Sequence, residues 1–309
     1  MLGSQRSAPV VWRLAPSGRL LGTYPLPGLT AISPRLAPLI APGNDGSLYV
    51  LGYGTAFPLS GYALVHIDPS GAESTVAVTY PAEPMSQVWF GGPVNGLVTA
   101  SDGSLWLATE ANGETAGYAV AHINSATGAP TWLPQRFPTH RFFSGALLPA
   151  PDGGLWIAPE APRAELQEVS PTGALMRVAT LAGRAQEFTA MASGSGGVAW
   201  VAARGYIARI ARGRATFFAL PLGGCEQASN LANGAGGNIW FLGSGFCAGS
   251  FSDYLGVITP RGRVTQVPFA AGGVLNLKRS LGLRLLAVGN GNTLWVIGKS
   301  PRLYRVTIR

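Results

Sequence analysis

The sequence predicts an all-β protein built from repeated four-stranded antiparallel sheets, on three observations. Glycine (43) and proline (24) are spread along all 309 residues, a density of helix breakers that favours short strands joined by turns. One short phrase, a turn followed by an apolar strand with an aromatic residue in it, recurs six times. Only 12% of the residues are charged while 47% are hydrophobic, so the chain can bury a large core and is not disordered.

The recurring phrase defines the second strand of each unit, strand b. It reads Asp45-Gly-Ser-Leu-Tyr49, Asp102-Gly-Ser-Leu-Trp106 and Asp152-Gly-Gly-Leu-Trp156, then more loosely around Trp200, Trp240 and Trp295. Asp-Gly and Gly-Gly pairs suit tight hairpin turns because those turns need positive φ. A second phrase follows, a strand (c), a Pro/Gly turn and another strand (d). It runs from Ala63 to Gly71, Tyr118 to Gly128, Glu165 to Gly173, Tyr206 to Gly213 and Leu255 to Gly262. An apolar strand (a) precedes each aromatic, as in 144–150 and 283–288.

Successive aromatics are 57, 50, 44, 40 and 55 residues apart. Four strands repeating at this period are the signature of a β-propeller, in which each sheet buries its two faces against its neighbours. Six phrases give six blades in a single domain, 1–309, with 1–9 a flexible N-terminal extension; the alternative is seven blades. Residues 10–27 match strands c and d, and residues 283–309 supply a, b and c. The N-terminal strand is therefore expected to join the last blade and close the ring. Both Val10–Leu14 and 303–308 look like strand c. The b-strand aromatics are expected to pack between blades, and His66 and His122, at matching places in strand c, to be repeat positions and not ligands.

Charge is uneven. Residues 1–160 hold six Lys/Arg and nine Asp/Glu, residues 161–309 sixteen and five. The basic half is where an anionic partner is expected. No run of five or six basic residues occurs, which argues against nucleic acid. No run of about 18 uncharged apolar residues is present to span a membrane as a helix. The first ten residues lack the apolar region of a signal peptide.

The motif Asp-Gly-x-Leu-Trp-x-x-x-Glu, at Asp102 to Glu110 and Asp152 to Glu160, followed by a strand and a Pro-x-Gly turn, resembles the streptogramin B lyase (virginiamycin B lyase) family and the related NHL-type propellers. The resemblance implies a metal-assisted elimination on a cyclic, ester-bearing compound, with Mg²⁺ in the pocket. It also implies seven blades and a catalytic His near the end of the chain. This sequence has six phrases and no His after His140, so no catalytic residue of that family carries across.

In a propeller the d–a and b–c loops share one face, and loops on a rigid scaffold carry function. Four positions after each aromatic lie Tyr53, Glu110, Glu160, Arg204, Ser244 and Lys299. The d–a loops are expected to bring Arg35, Asn95, His140, Arg141, Glu187, Glu226, Gln227, Asn230, Lys278 and Arg279. Together they predict a polar pocket for a small or medium polar or anionic ligand, or a protein partner. His140 is the candidate acid/base, since His titrates near neutrality. Cofactors are expected only in the lyase reading, as Mg²⁺ on carboxylates. A third reading is a subunit of an assembly. Cys225 and Cys247 flank one blade on that face, so a disulfide fits, and with it an extracytoplasmic, oxidising address. Their spacing fits no zinc motif.

Overall fold

The computed structural model describes residues 10–15, 19–27, 29–30, 39–54, 62–78, 94–111, 117–124, 127, 129–133, 137–138, 146–158, 165–181, 188–221, 225–247, 250–267, 285–288, 293–297 and 303–307. The Asp-Gly and Gly-Gly pairs turn the chain where the sequence places them. Gly46, Gly103, Gly153, Gly196 and Gly197 all have positive φ. The aspartate helps: Asp45 Oδ1 accepts the Ser47 amide at 2.9 Å, Asp102 Oδ1 the Ser104 amide at 3.0 Å and Asp152 Oδ1 the Gly154 amide at 3.1 Å. Asn and Asp favour such turns because their side chains bond the backbone two residues on.

The chain forms two compact units, Met1–Leu155 with Val169–Leu175, and Trp156–Glu168 with Met176–Arg309. In the first unit, β1 (Val10–Leu14) and β2 (Leu20–Pro25) form a hairpin. A sheet follows from β3 (Leu29–Thr30), β4 (Leu39–Pro42), β5 (Leu48–Gly54), β6 (Tyr62–Ile67) and β7 (Glu73–Val78), in which β3 and β4 both pair with β5. The next contains β8 (Val94–Thr99), β9 (Leu105–Ala111), β10 (Gly117–Ile123), β11 (Pro130–Trp132) and β12 (Phe137–Pro138). Strands β13 (Ala146–Pro149), β14 (Leu155–Ala158), β15 (Glu165–Val169) and β16 (Leu175–Thr180) form the third sheet, which contributes residues to both units.

The second unit continues with β17 (Phe188–Ser193), β18 (Ala199–Ala203), β19 (Tyr206–Ala211) and β20 (Arg214–Ala219). Then come β21 (Glu226–Asn233), β22 (Ile239–Cys247), β23 (Ser250–Ile258) and β24 (Val264–Val267), and finally β25 (Leu285–Val288), β26 (Thr293–Ile297) and β27 (Leu303–Thr307). The five sheets from β3 to β24 each run as four neighbouring strands in chain order, a–b–c–d, with β4 and β12 as additional strands. Among the described residues the last sheet has strands a, b and c, and the N-terminal hairpin is a separate two-stranded sheet.

Tyr49 and Trp200 pack between sheets, as expected of the b-strand aromatics. Tyr49, Trp106, Trp156, Trp200 and Trp240 are all buried. In the first unit one face of the β5–β7 sheet (Tyr49, Leu51, Leu64, Val78) meets Leu97, Leu105, Leu107 and Ile123 of the next sheet. Its other face (Val50, Ala63, Val65, Ile67) packs against Val11, Tyr24, Leu26 and Leu29. In the second unit Trp200, Ala202 and Ile207 meet Ala228, Phe241, Tyr254 and Ile258. Each such face removes hydrophobic side chains from water, worth about 1.5–3 kcal/mol per large side chain. His66 stacks on Tyr49 at 4.6 Å and His122 leans on Trp106 at 5.0 Å, each directly opposite its aromatic in the ladder.

Neighbouring sheets also lock at the c–d turns. At Gly71 and Gly173, both with positive φ, an added Cβ would lie 2.8 Å from Tyr24 and 2.5 Å from Leu133. Gly262 meets Phe218 in the same way. In each case a side chain from elsewhere in the same unit fills the space that a side chain on the turn would need.

Candidate functional site

Strand b ends, and strand a begins, at one end of each sheet. Those of the predicted site residues that are described sit there, all but Arg204 within strands and not in loops. Tyr53 is the next-to-last residue of β5, opposite Tyr62 and Thr30. Glu110 lies in β9 opposite Tyr118, and Ser244 in β22 opposite Gln227 and Asp253. Asn95, Glu226, Gln227 and Asn230, expected in d–a loops, belong to the first strands β8 and β21. Their polarity hid this, because a half-buried strand is recognised by its apolar alternation. Arg35, His140, Arg141, Glu160, Glu187, Lys278, Arg279 and Lys299 lie outside the described residues.

A bulge explains part of the misplacement. In β8 the register shifts between Val94 and Gly96, in β17 between Phe188 and Ala190, and in β21 between Ala228 and Asn230. The extra residues are Asn95, Thr189 and Ser229, at one common position of the repeat and polar in all three sheets. A bulge inserts one unpaired residue and re-aims its side chain. Thr189 uses its own to donate a 2.5 Å hydrogen bond from Oγ1 to the Ala228 carbonyl, tying two adjacent sheets of the second unit together. In the β5–β7 sheet β3 and β4 both pair with β5, Thr30 opposite Tyr53 and Leu39 opposite Leu51.

The best-defined cluster joins β18, β21, β22 and β23. Arg204, exposed at the end of β18, forms an isolated bridge with Gln227, which is also exposed. Gly205 donates its amide to the Glu226 carbonyl at 2.7 Å and accepts the Leu220 amide at 3.0 Å, which clasps the β18–β19 turn against β21. Beneath it Glu226 is 1% exposed, so its side chain belongs to the core and not to a rim. Tyr254, fully buried, donates to Glu226 Oε2 at 2.6 Å, and its ring meets Phe241 edge-on at 5.9 Å. Burial, then the bond and charge of Glu226, hold the Tyr254 phenol above the ordinary tyrosine range. The phenol is thus the donor of the pair. Gly243 and Gly245 make room: a Cβ on Gly243 would strike the Tyr254 ring, and one on Gly245 would lie 2.8 Å from Glu226 Cα.

Sequence reading found Glu226 and Gln227 but not Tyr254; the Gly-Ser-Gly run of β22 was the available signal. Cys225 immediately precedes β21 and Cys247 ends β22, two residues beyond Gly245, which faces Glu226. Among the described residues no group of three or more His, Cys, Asp or Glu converges to hold a metal. No helix among them is long and apolar enough to cross a membrane.

This is an all-β repeat architecture of antiparallel, face-packed sheets with polar residues at one strand end. The solved structures it resembles are β-propeller proteins, and the sheets are consistent with six blades. No protein-family model and no curated protein matches the sequence. A fungal alcohol oxidase of the AA5 family, in complex with copper, aligns with a TM-score of 0.58 and 14% identity, over 91% of this chain and 61% of its own. The Neurospora crassa Pan2 WD40 domain gives 0.57 and 11%, over 90% and 79%. PorZ of Porphyromonas gingivalis, a surface component of the type-IX secretion system, gives 0.54 and 14%, over 87% and 38%. The chain thus spans less than two thirds of the oxidase and of PorZ. At these identities the likeness is one of fold.

Proposed function

We propose that the protein is a binding β-propeller that takes a polar or anionic ligand, or the acidic surface of a partner, at the end of the sheets where strand b finishes and strand a begins. The observation that carries this reading is the bridged Arg204–Gln227 pair. Two exposed polar residues are held by their backbones on a turn that is clasped by backbone hydrogen bonds and backed by buried Glu226 and Tyr254. A guanidinium carried on a rigid backbone can take a carboxylate or phosphate bidentately. In this reading six blades close into a ring, the N-terminal hairpin joins the last sheet, and Arg204 and Gln227 stand at the mouth of the central channel.

A Cys225–Cys247 disulfide belongs to the same reading, since the β21–β22 ladder brings the two residues to one edge. It implies an oxidising, extracytoplasmic address, in keeping with a surface component among the structural neighbours. The unreduced protein should then weigh two hydrogens less than the reduced one, and full alkylation without reductant would exclude the bridge.

The binding test is the thermal midpoint of the full chain with citrate, glucuronate and glucose. Stabilisation by the two anions, lost in Arg204→Ala/Gln227→Ala, supports the reading; equal responses of both proteins overturn it. Linearisation of a streptogramin B type lactone with Mg²⁺, quenched by EDTA, would instead make the protein a lyase.

A further inference from the structure

Four exposed arginines converge at the opposite end of two neighbouring sheets. Arg212 and Arg214 frame the β19–β20 turn, and Arg261 and Arg263 the β23–β24 turn. Both turns are stiff. The first is a two-residue hairpin with Arg212 at φ 51° and Gly213 at φ 75°, closed by the Ala211–Arg214 pair. In the second, Thr259 donates its amide to the Arg263 carbonyl at 3.0 Å and accepts the Arg263 amide on Oγ1 at 3.1 Å. Gly262 seats on Phe218 of β20, so the second turn is held against the sheet that carries the first.

Among the described residues no carboxylate is paired with the four. The acids among the described residues of these two sheets are Glu226 and Asp253, both buried and both toward the other strand end. The a–b turns at the arginine end read Ser195-Gly-Gly-Val198 and Ala235-Gly-Gly-Asn238, where the first three sheets have Asp45, Asp102 and Asp152. Arg177 differs: its Nε lies 3.3 Å from Glu168.

We infer that this turn surface binds an acidic polysaccharide, a chain of carboxylate- or sulfate-bearing sugars. Face-packed sheets lie about 10 Å apart, so the two turns present pairs of guanidiniums at a spacing suited to successive charges along an extended polyanion. Guanidinium forks take carboxylate and sulfate groups bidentately. The turns offer no exposed aromatic on which a base could stack, since Phe218 is capped by Gly262 and Phe217 lies edge-on to Tyr206 at 5.3 Å. They also carry no exposed large apolar side chain to enter a bilayer. The surface is independent of the Arg204–Gln227 site.

The experiment titrates the full chain with a heparin octasaccharide and an oligogalacturonate at several salt concentrations, with a short DNA duplex and anionic vesicles as comparisons. Arg212→Asn/Arg214→Gln/Arg261→Gln/Arg263→Gln removes the charge while keeping a residue that accepts positive φ at 212. Binding of the sugars should weaken at least about ten-fold in that variant. The slope of log affinity on log salt should flatten by about one per arginine. Arg13→Gln, which removes an exposed arginine of the N-terminal hairpin, should bind the sugars as the native chain does, and unchanged thermal midpoints certify folding in both. Unaltered sugar binding in the four-arginine variant overturns the inference, as does no sugar binding by the native chain at low salt. Tighter binding of duplex or vesicles through the same arginines also overturns it and assigns the surface to that polyanion.

Discussion

Tyr254 reaches across a whole β-strand to Glu226. Its phenol donates a 2.6 Å hydrogen bond to Oε2 of a carboxylate 28 residues earlier in the chain, and the strand between them carries Gly243 and Gly245 at the crossing. The bond fixes the base on which Arg204 and Gln227 stand.

Tyr254→Phe deletes that donor and leaves one carboxylate oxygen of a buried side chain with a partner fewer. Such a loss costs about 1–3 kcal/mol. Urea denaturation should show a lower midpoint with an unchanged slope; an unshifted midpoint would mean the bond contributes nothing net.

The same phenol makes stability depend on alkaline pH. Its folded pKa is raised, by burial and by Glu226, above the unfolded value of about 10. The contribution is therefore whole below about pH 10 and declines as pH rises beyond it, because the unfolded chain releases a proton that the native chain keeps. Absorbance at 295 nm should show Tyr254 ionising only with unfolding, so the native chain and Tyr254→Phe should titrate alike in the early part of the curve and differ by one tyrosine only once the chain has unfolded.

Gly243→Ala places a methyl group against the Tyr254 ring, and Gly245→Ala places one against the Glu226 backbone. Overpacking of this kind costs about 1–3 kcal/mol. Gly243→Ala combined with Tyr254→Ala should recover part of its own loss, a coupling read from a double-mutant cycle. Strict additivity would show that the glycine does not serve the crossing.

At the turn end the expected pH effect has the opposite sign. The Ser70 hydroxyl and the Ala72 amide hold the Asp68 carboxyl below the usual range. At Asp102 desolvation pushes upward but is outweighed by the hydroxyl and amide of Ser104. Depressed carboxylates add stability that is complete above their unfolded pKa, about 3.9, and is lost as pH falls through the folded value. The fall in urea midpoint from pH 5 to pH 3 should be smaller in Asp68→Asn/Asp102→Asn than in the native chain. An identical fall would place acid sensitivity elsewhere.

Thr189→Val keeps the shape of the bulged residue but removes its hydroxyl from the Ala228 carbonyl. A net loss of about 0.5–1.5 kcal/mol is expected. Hydrogen exchange should quicken along the facing edges of β17 and β21 ahead of their outer strands; uniform quickening would argue against a local tie.

The repeat was legible because its signals are local. A turn needs Gly at positive φ, a packed face needs an aromatic, and both recur at short range around Tyr49, Trp106 and Trp156. The site was less so. Asn95, Glu226 and Gln227 read as loop because polar residues beginning a strand break the alternation that announces it. The bulges at Asn95, Thr189 and Ser229 add one residue without leaving a compositional trace. Tyr254 and Glu226 meet through three-strand register, which depends on which strand lies between them, and only the pair of glycines hints at it.

The glycine slots at the c–d turns bear on how such a chain can lengthen. Gly71 receives a tyrosine, Gly173 a leucine and Gly262 a phenylalanine, so each slot is cut for one neighbour's shape. A tandem gene duplication of any length creates one new seam, where the last copied unit meets the first, and there a slot faces an occupant it was not formed to hold. The order of the units, and not only their number, is therefore under constraint.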